Sequence, residues 1–368
     1  MSIKVVQLFS TYPLFFQPYI PPVVELLKER TDLDFKILHF EGEGGEKAIK
    51  APSYRNRQIK HKINAMLSKD KRTFLERYCL KSEIDVLHIM DSFLFEKVLG
   101  LLDLPKEKRP KIVMTMRGDD TYVKPLIFDK WKGFYEEHAK KIEGYIVMST
   151  NQKERLIALG VDALKIHIIP VSIQSTFTPV MKQKDEKCIR IVSMFRLVWE
   201  KNIDGNLRVI KYLNDKGYKV RYDLYGAGYK IGEAMFLIQK YNIQHCVFMH
   251  DKLSNKELLN TITSSDIYLQ LSHSESLGMS VIEAQSLGIP AIVADSGGLP
   301  ETIAIGKSGY CVDAWDADAA AEHIISLWKS STQYQEFSKA SIVHCENRFS
   351  NALEVKNVTQ LYKQLAAL

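Results

Sequence analysis

Twice along this chain, short apolar runs alternate with amphipathic stretches of helical spacing, and that rhythm restricts the fold more than any other feature. In the first half the runs are Ile3–Phe9, Phe35–Phe40, Val86–Ile89, Lys111–Met116, Gly144–Met148 and Lys165–Ile169. Between them, Pro22–Arg30, Phe128–Lys140 and Asn151–Leu159 have helical spacing, and Pro22 suits a first helical turn. Strand, helix, strand repeated in this way predicts a mostly parallel sheet covered by helices on both faces. Gly42–Gly45 reads as a loop, and the basic stretch Ile59–Tyr78 as a helix. After Ile169 the rhythm stops. Pro170 opens a polar stretch ending near Lys187, with little to bury, which reads as a linker between domains.

The rhythm then restarts. Strands are expected at Ile189–Ser193, Val220–Tyr225, Val247–Met249, Ile267–Gln270, Ala291–Ala294 and Tyr310–Val312. Helices fit Asn202–Asp215, Gly232–Tyr241, Asn255–Thr263, Gly278–Ser286, Leu299–Ile305, Ala317–Trp328 and, at the end, Asn357–Leu368. The expected architecture is α/β: two Rossmann-like, doubly wound domains, 1–172 and 186–346, facing across a cleft that is the natural place for a ligand.

The bulk numbers agree with a globular chain. It has 368 residues, 46% hydrophobic and 26% charged. No apolar run reaches the roughly 18 residues that span a bilayer, and the first residues read as a strand rather than a signal peptide. Five scattered cysteines, Cys79, Cys188, Cys246, Cys311 and Cys345, fit a cytoplasmic protein better than a disulfide scaffold or zinc site. The net charge of +6 is uneven: between Lys47 and Lys81 stand eleven Lys or Arg but only Asp70 and Glu76 as acids. Such a field suits a solvated helical face, an anionic membrane surface or a lipid-linked phosphate. No motif accompanies it that would point to nucleic acid.

Ligands of open α/β sheets sit beyond the carboxyl ends of the strands. After Ile267–Gln270 the polar loop of Ser272, His273, Ser274 and Glu275 runs through Gly278 into a helix whose free amides suit a phosphate. Glu283 lies within that helix, about 12 Å beyond Glu275 if the whole segment is helical. The two carboxylates suit hydroxyls at opposite ends of an elongated ligand rather than an acid/base pair. After Ile189–Ser193 come Arg196 and Lys201, cations suited to a diphosphate. Tyr225-Gly226-Ala227-Gly228 is a glycine turn without the helix and acid of a dinucleotide fingerprint, and Asp295-Ser296-Gly297-Gly298 offers further amides. In the first half, Ser10 and Thr11 follow the first strand, and Arg117, Asp119 and Asp120 follow Lys111–Met116. His88, inside an apolar strand, reads as structural. No cluster has metal-ligand spacing.

These residues resemble glycosyltransferase family 4, the retaining nucleotide-sugar transferases of the GT-B fold. Glu275 and Glu283 match its E-x7-E pattern, Arg196 and Lys201 its diphosphate-binding pair, and Tyr225-Gly226-Ala227-Gly228 its glycine turn. The resemblance covers the second half in detail and the first only in outline. It implies that the second domain binds a UDP- or GDP-sugar. Arg196 and Lys201 would hold the diphosphate, with Gly226 and the amides near Gly278 and Met279; Glu283 would hold the ribose, and Glu275 would approach the sugar. It implies an acceptor, a glycan or lipid-linked, on the first domain near Ser10, Thr11, Arg117 and Asp119, with helix 350–368 crossing back to pack there. No metal or other cofactor is implied. A role in surface polysaccharide or lipopolysaccharide synthesis would follow, in the cytoplasm or peripherally on the inner face of the membrane. The sequence departs from the family in three places. The loop after the first strand, Ser10 to Phe16, lacks the usual glycine pair. Arg117 stands where a histidine is usual, and it stays protonated, so it stabilises charge but cannot act as a base. Val171-Ser172 replaces the usual asparagine-glycine. An epimerase or phosphorylase of the same architecture, or a non-catalytic sugar-nucleotide binder, fits the same residues.

Overall fold

The computed structural model describes residues 2–14, 17–45, 48–51, 72–173 and 187–367. The chain divides into two compact units, Met1–Ser172 with Asn351–Leu368, and Ile173–Ser350. Most of the basic stretch from Lys47 to Lys81, and of the polar stretch after Pro170, lies outside the described residues.

The first unit is built on seven strands: β1 Ile3–Thr11, β2 Leu33–Glu41, β3 Ala48–Lys50, β4 Val86–Ile89, β5 Lys111–Thr115, β6 Gly144–Val147 and β7 Ile166–Ile168. They form one parallel sheet in the order β3-β2-β1-β4-β5-β6-β7. The second has six: β8 Ile189–Met194, β9 Val220–Tyr225, β10 Val247–His250, β11 Ile267–Gln270, β12 Ala291–Ala294 and β13 Gly309–Val312. Their order is β10-β9-β8-β11-β12-β13, again all parallel. The inner strands read as apolar runs because both faces are covered by helices. All four residues of β4, β11 and β12 are buried. Each unit has its own core, around Leu8, Leu87 and Met114 in the first and Val192, Leu224 and Ile292 in the second.

In each sheet the strand order reverses beside the unit's first strand, between β1 and β4 and between β8 and β11. Neighbouring loops there leave toward opposite faces and open a crevice, the usual ligand position.

The helix Asn351–Ala366 belongs to the first unit, where it packs on the helix Ile20–Lys28 and on β1 and β4. Its Tyr362 hydroxyl meets His88 Nδ1 at 2.6 Å and accepts from Gln7 Nε2 at 3.1 Å. Its Glu354 accepts from the backbone and hydroxyl of Ser172 at 2.7 and 2.6 Å. Burial pushes the Glu354 carboxyl up, opposed by those two bonds.

Some elements differ from the periodicity. β3 is a three-residue edge strand with no pattern of its own. Phe128–Lys140 is not one α-helix: an α-turn, Asp129–Gly133, passes into a π-helical turn, Phe134–His138, and a 3-10 turn, Ala139–Lys141. Leu299–Ile305 is a 3-10 turn, Leu299–Thr302. The helix Ser331–Arg348 lies where the sequence reading placed no element.

Candidate functional site

The second unit's crevice is lined by the loops after β8 and β11. The loop after β8 carries Arg196 and Lys201 and ends at Asn202, which adopts left-handed backbone geometry (φ 47°, ψ 59°). Asn202 caps the helix Ile203–Asp215 by accepting from Gly205 N at 3.0 Å, and donates to Ala314 O at 2.8 Å. Asn206 ties the same loop to its neighbour: Nδ2 donates to Lys201 O at 3.0 Å, and Oδ1 accepts from Leu271 N at 3.2 Å. The glycine turn after β9 lies flat against this loop. Phe195 N donates to Tyr225 O and Leu197 N to Ala227 O. Gly226 has φ +148°, and a Cβ there would stand 1.9 Å from Phe195 O. Only a residue without a side chain allows that approach. Gly226 thereby shapes the loop from which Arg196 projects into solvent.

The loop after β11 leads to the helix Met279–Ser286, capped by Gly278 at φ +109°. The first-turn amides of a helix have no intrahelical acceptor, so this end favours an anion. The helix begins after Glu275, so Glu275 and Glu283 do not lie on one continuous helix. The amide of Gly298 is spent: it donates to Glu275 O at 2.9 Å. Gly297 packs against the same carbonyl, where a Cβ would stand 1.8 Å from Glu275 O, so both glycines brace the Glu275 loop.

These loops bring Lys201 and Glu275 into an ion pair, with only 13% and 16% of their side chains exposed. Glu275 Oε2 also accepts from Gln270 Nε2 at 3.3 Å. Gln270 is fully buried. Its Nε2 reaches Ser272 Oγ at 3.1 Å, and its Oε1 accepts from Tyr268 OH at 2.9 Å and Ser280 Oγ at 3.0 Å. One amide thus links Glu275 to the start of the helix. Glu283 receives Asn255 Nδ2 at 2.7 Å. Burial pushes its carboxyl up to about 7, with the Asn255 bond pulling the other way. Gln270 and Asn255 were not anticipated. A polar residue closing an otherwise apolar strand was the one available signal for Gln270; nothing marked Asn255.

In the first unit, the Arg117 amide donates to Asp120 Oδ2 at 3.1 Å and its Nε to Met90 O at 3.2 Å. The guanidinium stands 5.9 Å from the centre of the Tyr19 ring. Asp120, not Asp119, organises this strand end: it is buried and also accepts from Gly118 N at 3.0 Å and Ser92 Oγ at 2.5 Å. Asp119 is exposed. Ser10 and Thr11 lie at the β1/β4 crevice, where Ser10 N donates to Asp91 Oδ2 at 2.8 Å. His88 is buried between Tyr362 and Thr115, and burial lowers its pKa to about 3, so it stays neutral. Among the described residues, no group of three or more His, Cys, Asp or Glu is placed to hold a metal ion. No helix among them is long and apolar enough to cross a membrane.

Solved structures share the fold of this chain. A sucrose-phosphate synthase from Thermosynechococcus elongatus superposes with a TM-score of 0.77 at 16% identity, covering 99% of each chain. The fold is GT-B. A glycosyltransferase from Rickettsia africae ESF-5 has the same GT-B fold with a TM-score of 0.72 at 18% identity, covering 99% of this chain and 98% of that one. A mutant of S. aureus TarM, in complex with fondaparinux, α-GlcNAc-glycerol and UDP, matches with a TM-score of 0.64 at 19% identity over 75% of this chain. The chain spans about half of TarM, 55% of its length. Within the GT-B chain, residues 176–343 match the family model described as glycosyl transferases group 1, a match inside the second unit. No curated protein matches the sequence.

Proposed function

We propose that the chain is a retaining glycosyltransferase that takes its sugar from a nucleoside diphosphate, UDP or GDP, bound by the second unit. The Lys201–Glu275 pair beside the start of the helix Met279–Ser286 carries this reading. A cation, a carboxylate and free helical amides meet at one switch point, which suits a ligand with an anionic middle and a hydroxyl-rich end. Arg196 and Lys201 neutralise the diphosphate with Gly278 and Met279. Glu283 holds the ribose, and Glu275 the donor sugar. In the reaction the bond from the anomeric carbon to the diphosphate oxygen breaks, and its electron pair leaves with the diphosphate. An acceptor hydroxyl forms the new bond from the same face and passes its proton to the departing diphosphate oxygen. Fixed cations and amides supply the charge stabilisation, with no metal required. UDP in the TarM complex supports a nucleotide of this class, and the group 1 family match supports glycosyl transfer.

The acceptor, a glycan or a lipid-linked saccharide, belongs to the first unit near Ser10, Thr11, Arg117 and Asp119. Arg117 contributes charge there, not a base. Surface polysaccharide or lipopolysaccharide synthesis at the cytoplasmic face of a membrane is the setting this acceptor class suggests. The basic stretch from Lys47 to Lys81 would supply contact with anionic lipid.

Calorimetry with UDP, GDP and ADP and with their sugars tests the donor site. One diphosphate should bind, and Arg196→Ala should weaken it by about tenfold or more. Diphosphate affinity that survives both Arg196→Ala and Lys201→Ala overturns the site. Binding to vesicles rich in anionic lipid should fall with salt; no binding at low salt overturns the membrane setting.

A further inference from the structure

The chain has four tryptophans. Trp131 is buried and Trp328 packs against the core; Trp199 is 49% exposed, and Trp315 is the most exposed at 72%. A large ring left in water is informative when its surroundings are built, and these are. Trp315 follows β13, where its amide donates to Asp313 Oδ1 at 2.7 Å and the preceding Ala314 carbonyl accepts from Asn202. Asn202 immediately follows Lys201. One side of the indole rests on His273, with ring centres 4.3 Å apart. His273 is fixed in turn: its amide donates to Glu200 O at 2.7 Å, and its carbonyl accepts from Ser296 Oγ at 2.7 Å. It stands two residues before Glu275. Burial lowers the His273 pKa, which keeps its ring neutral near pH 7.

We propose that Trp315, braced by His273, is a stacking subsite for a pyranose ring at the sugar end of the donor site. The positions read in order: Glu283 for the ribose, the helix start for the diphosphate, Glu275 for the sugar, then His273 and Trp315 beyond it. The C–H face of a pyranose carries weak positive charge that matches the negative face of an indole, and an aromatic platform binds it without losing side-chain freedom. Neither ring carries a charge that would favour another anion. The loop bonds hold the indole before any ligand arrives, so the ordering cost is already met.

The subsite depends on the proposed donor site, and the test separates the two. The full chain, 15N-labelled at the indoles, is titrated with UDP, with UDP-glucose and UDP-N-acetylglucosamine, and with maltose and chitobiose. Stacking uses the C–H face more than any one hydroxyl pattern, so common pyranoses serve as probes. The Trp315 resonance, identified by its loss in Trp315→Phe, should move with saccharide and not with UDP alone, while Trp131 stays fixed. Response to the UDP-sugars places the donor ring there; response to the free disaccharides places an acceptor ring. Trp315→Ala should weaken that binding by roughly three- to tenfold, with Trp315→Phe retaining part of it and UDP affinity and Tm unchanged. A Trp315 resonance that no saccharide moves, while UDP binds through Arg196, overturns the subsite alone. UDP, GDP and their sugars all failing to bind the unaltered chain overturns the donor site and the subsite with it.

Discussion

Lys201 Nζ pairs with the Glu275 carboxylate, and Gln270 holds the same carboxylate oxygen from the other side. A diphosphate that takes Lys201 must compete with Glu275 for its charge, while Gln270 keeps Glu275 in place. Glu275→Gln should therefore bind UDP more tightly, by about threefold or more, and yet lose sugar transfer. Calorimetry against turnover separates the two effects. Weaker UDP binding in this variant would mean that Lys201 needs Glu275 for its position more than it is held back by it.

Glu283 gives the site a pH dependence. Its folded pKa of about 7 lies above its unfolded value, so between the two the native state holds the extra proton. Stability is intact below the unfolded pKa and falls as pH rises through 7. Glu283→Gln should raise stability at pH 8 by roughly 1–3 kcal/mol and change it little at pH 4. The carboxylate is the better acceptor for ribose hydroxyls. UDP-glucose, whose diphosphate has no proton to lose in this range, should thus bind more tightly as pH rises through about 7 in the unaltered chain and equally at each pH in Glu283→Gln. A rise that survives the substitution assigns the titration elsewhere.

Gln270→Leu removes the amide that joins Glu275, Ser272, Tyr268 and Ser280. Stranding those polar groups should cost about 1–3 kcal/mol in urea unfolding. Gln270→Glu keeps the shape and, when protonated, one of the two donated hydrogen bonds, which can go to Glu275. It should recover activity at low pH and lose it as the second carboxyl ionises beside Glu275. Equal activity of both variants at every pH would leave Gln270 as packing only.

Gly226→Ala sets a methyl against the Phe195 carbonyl at a backbone angle that side chains avoid. It should destabilise the second unit by about 3 kcal/mol or more, and the surviving folded fraction should bind UDP poorly because the Arg196 loop has shifted. Thermal unfolding together with calorimetry reads both. Unchanged UDP binding would separate the turn from the diphosphate grip.

The fold was legible because burial on both faces writes strands as apolar runs. Val86–Ile89, Val220–Tyr225, Ile267–Gln270 and Ala291–Ala294 have the limits read from the sequence. β3 escaped notice because a three-residue edge strand leaves no period. Ser331–Arg348 escaped because its buried face includes Ser338 and Ser341, small polar residues that blur the helical stripe. The residues of the site could be named one at a time from strand ends. Their partnerships could not, since Lys201 and Glu275 are 74 positions apart and meet only through the β8–β11 pairing. Asp119 and Asp120 differ by one place, and only the fold shows that the buried one braces the strand end.

The return of Asn351–Ala366 to the first unit bears on how the protein is made. The second unit is continuous in sequence, and its entry and exit are joined where Ile173 N donates to Phe349 O at 2.9 Å. All of it is synthesised before the helix that covers β1 and β4. The first unit therefore cannot close that flank of its sheet until the whole second unit has been made.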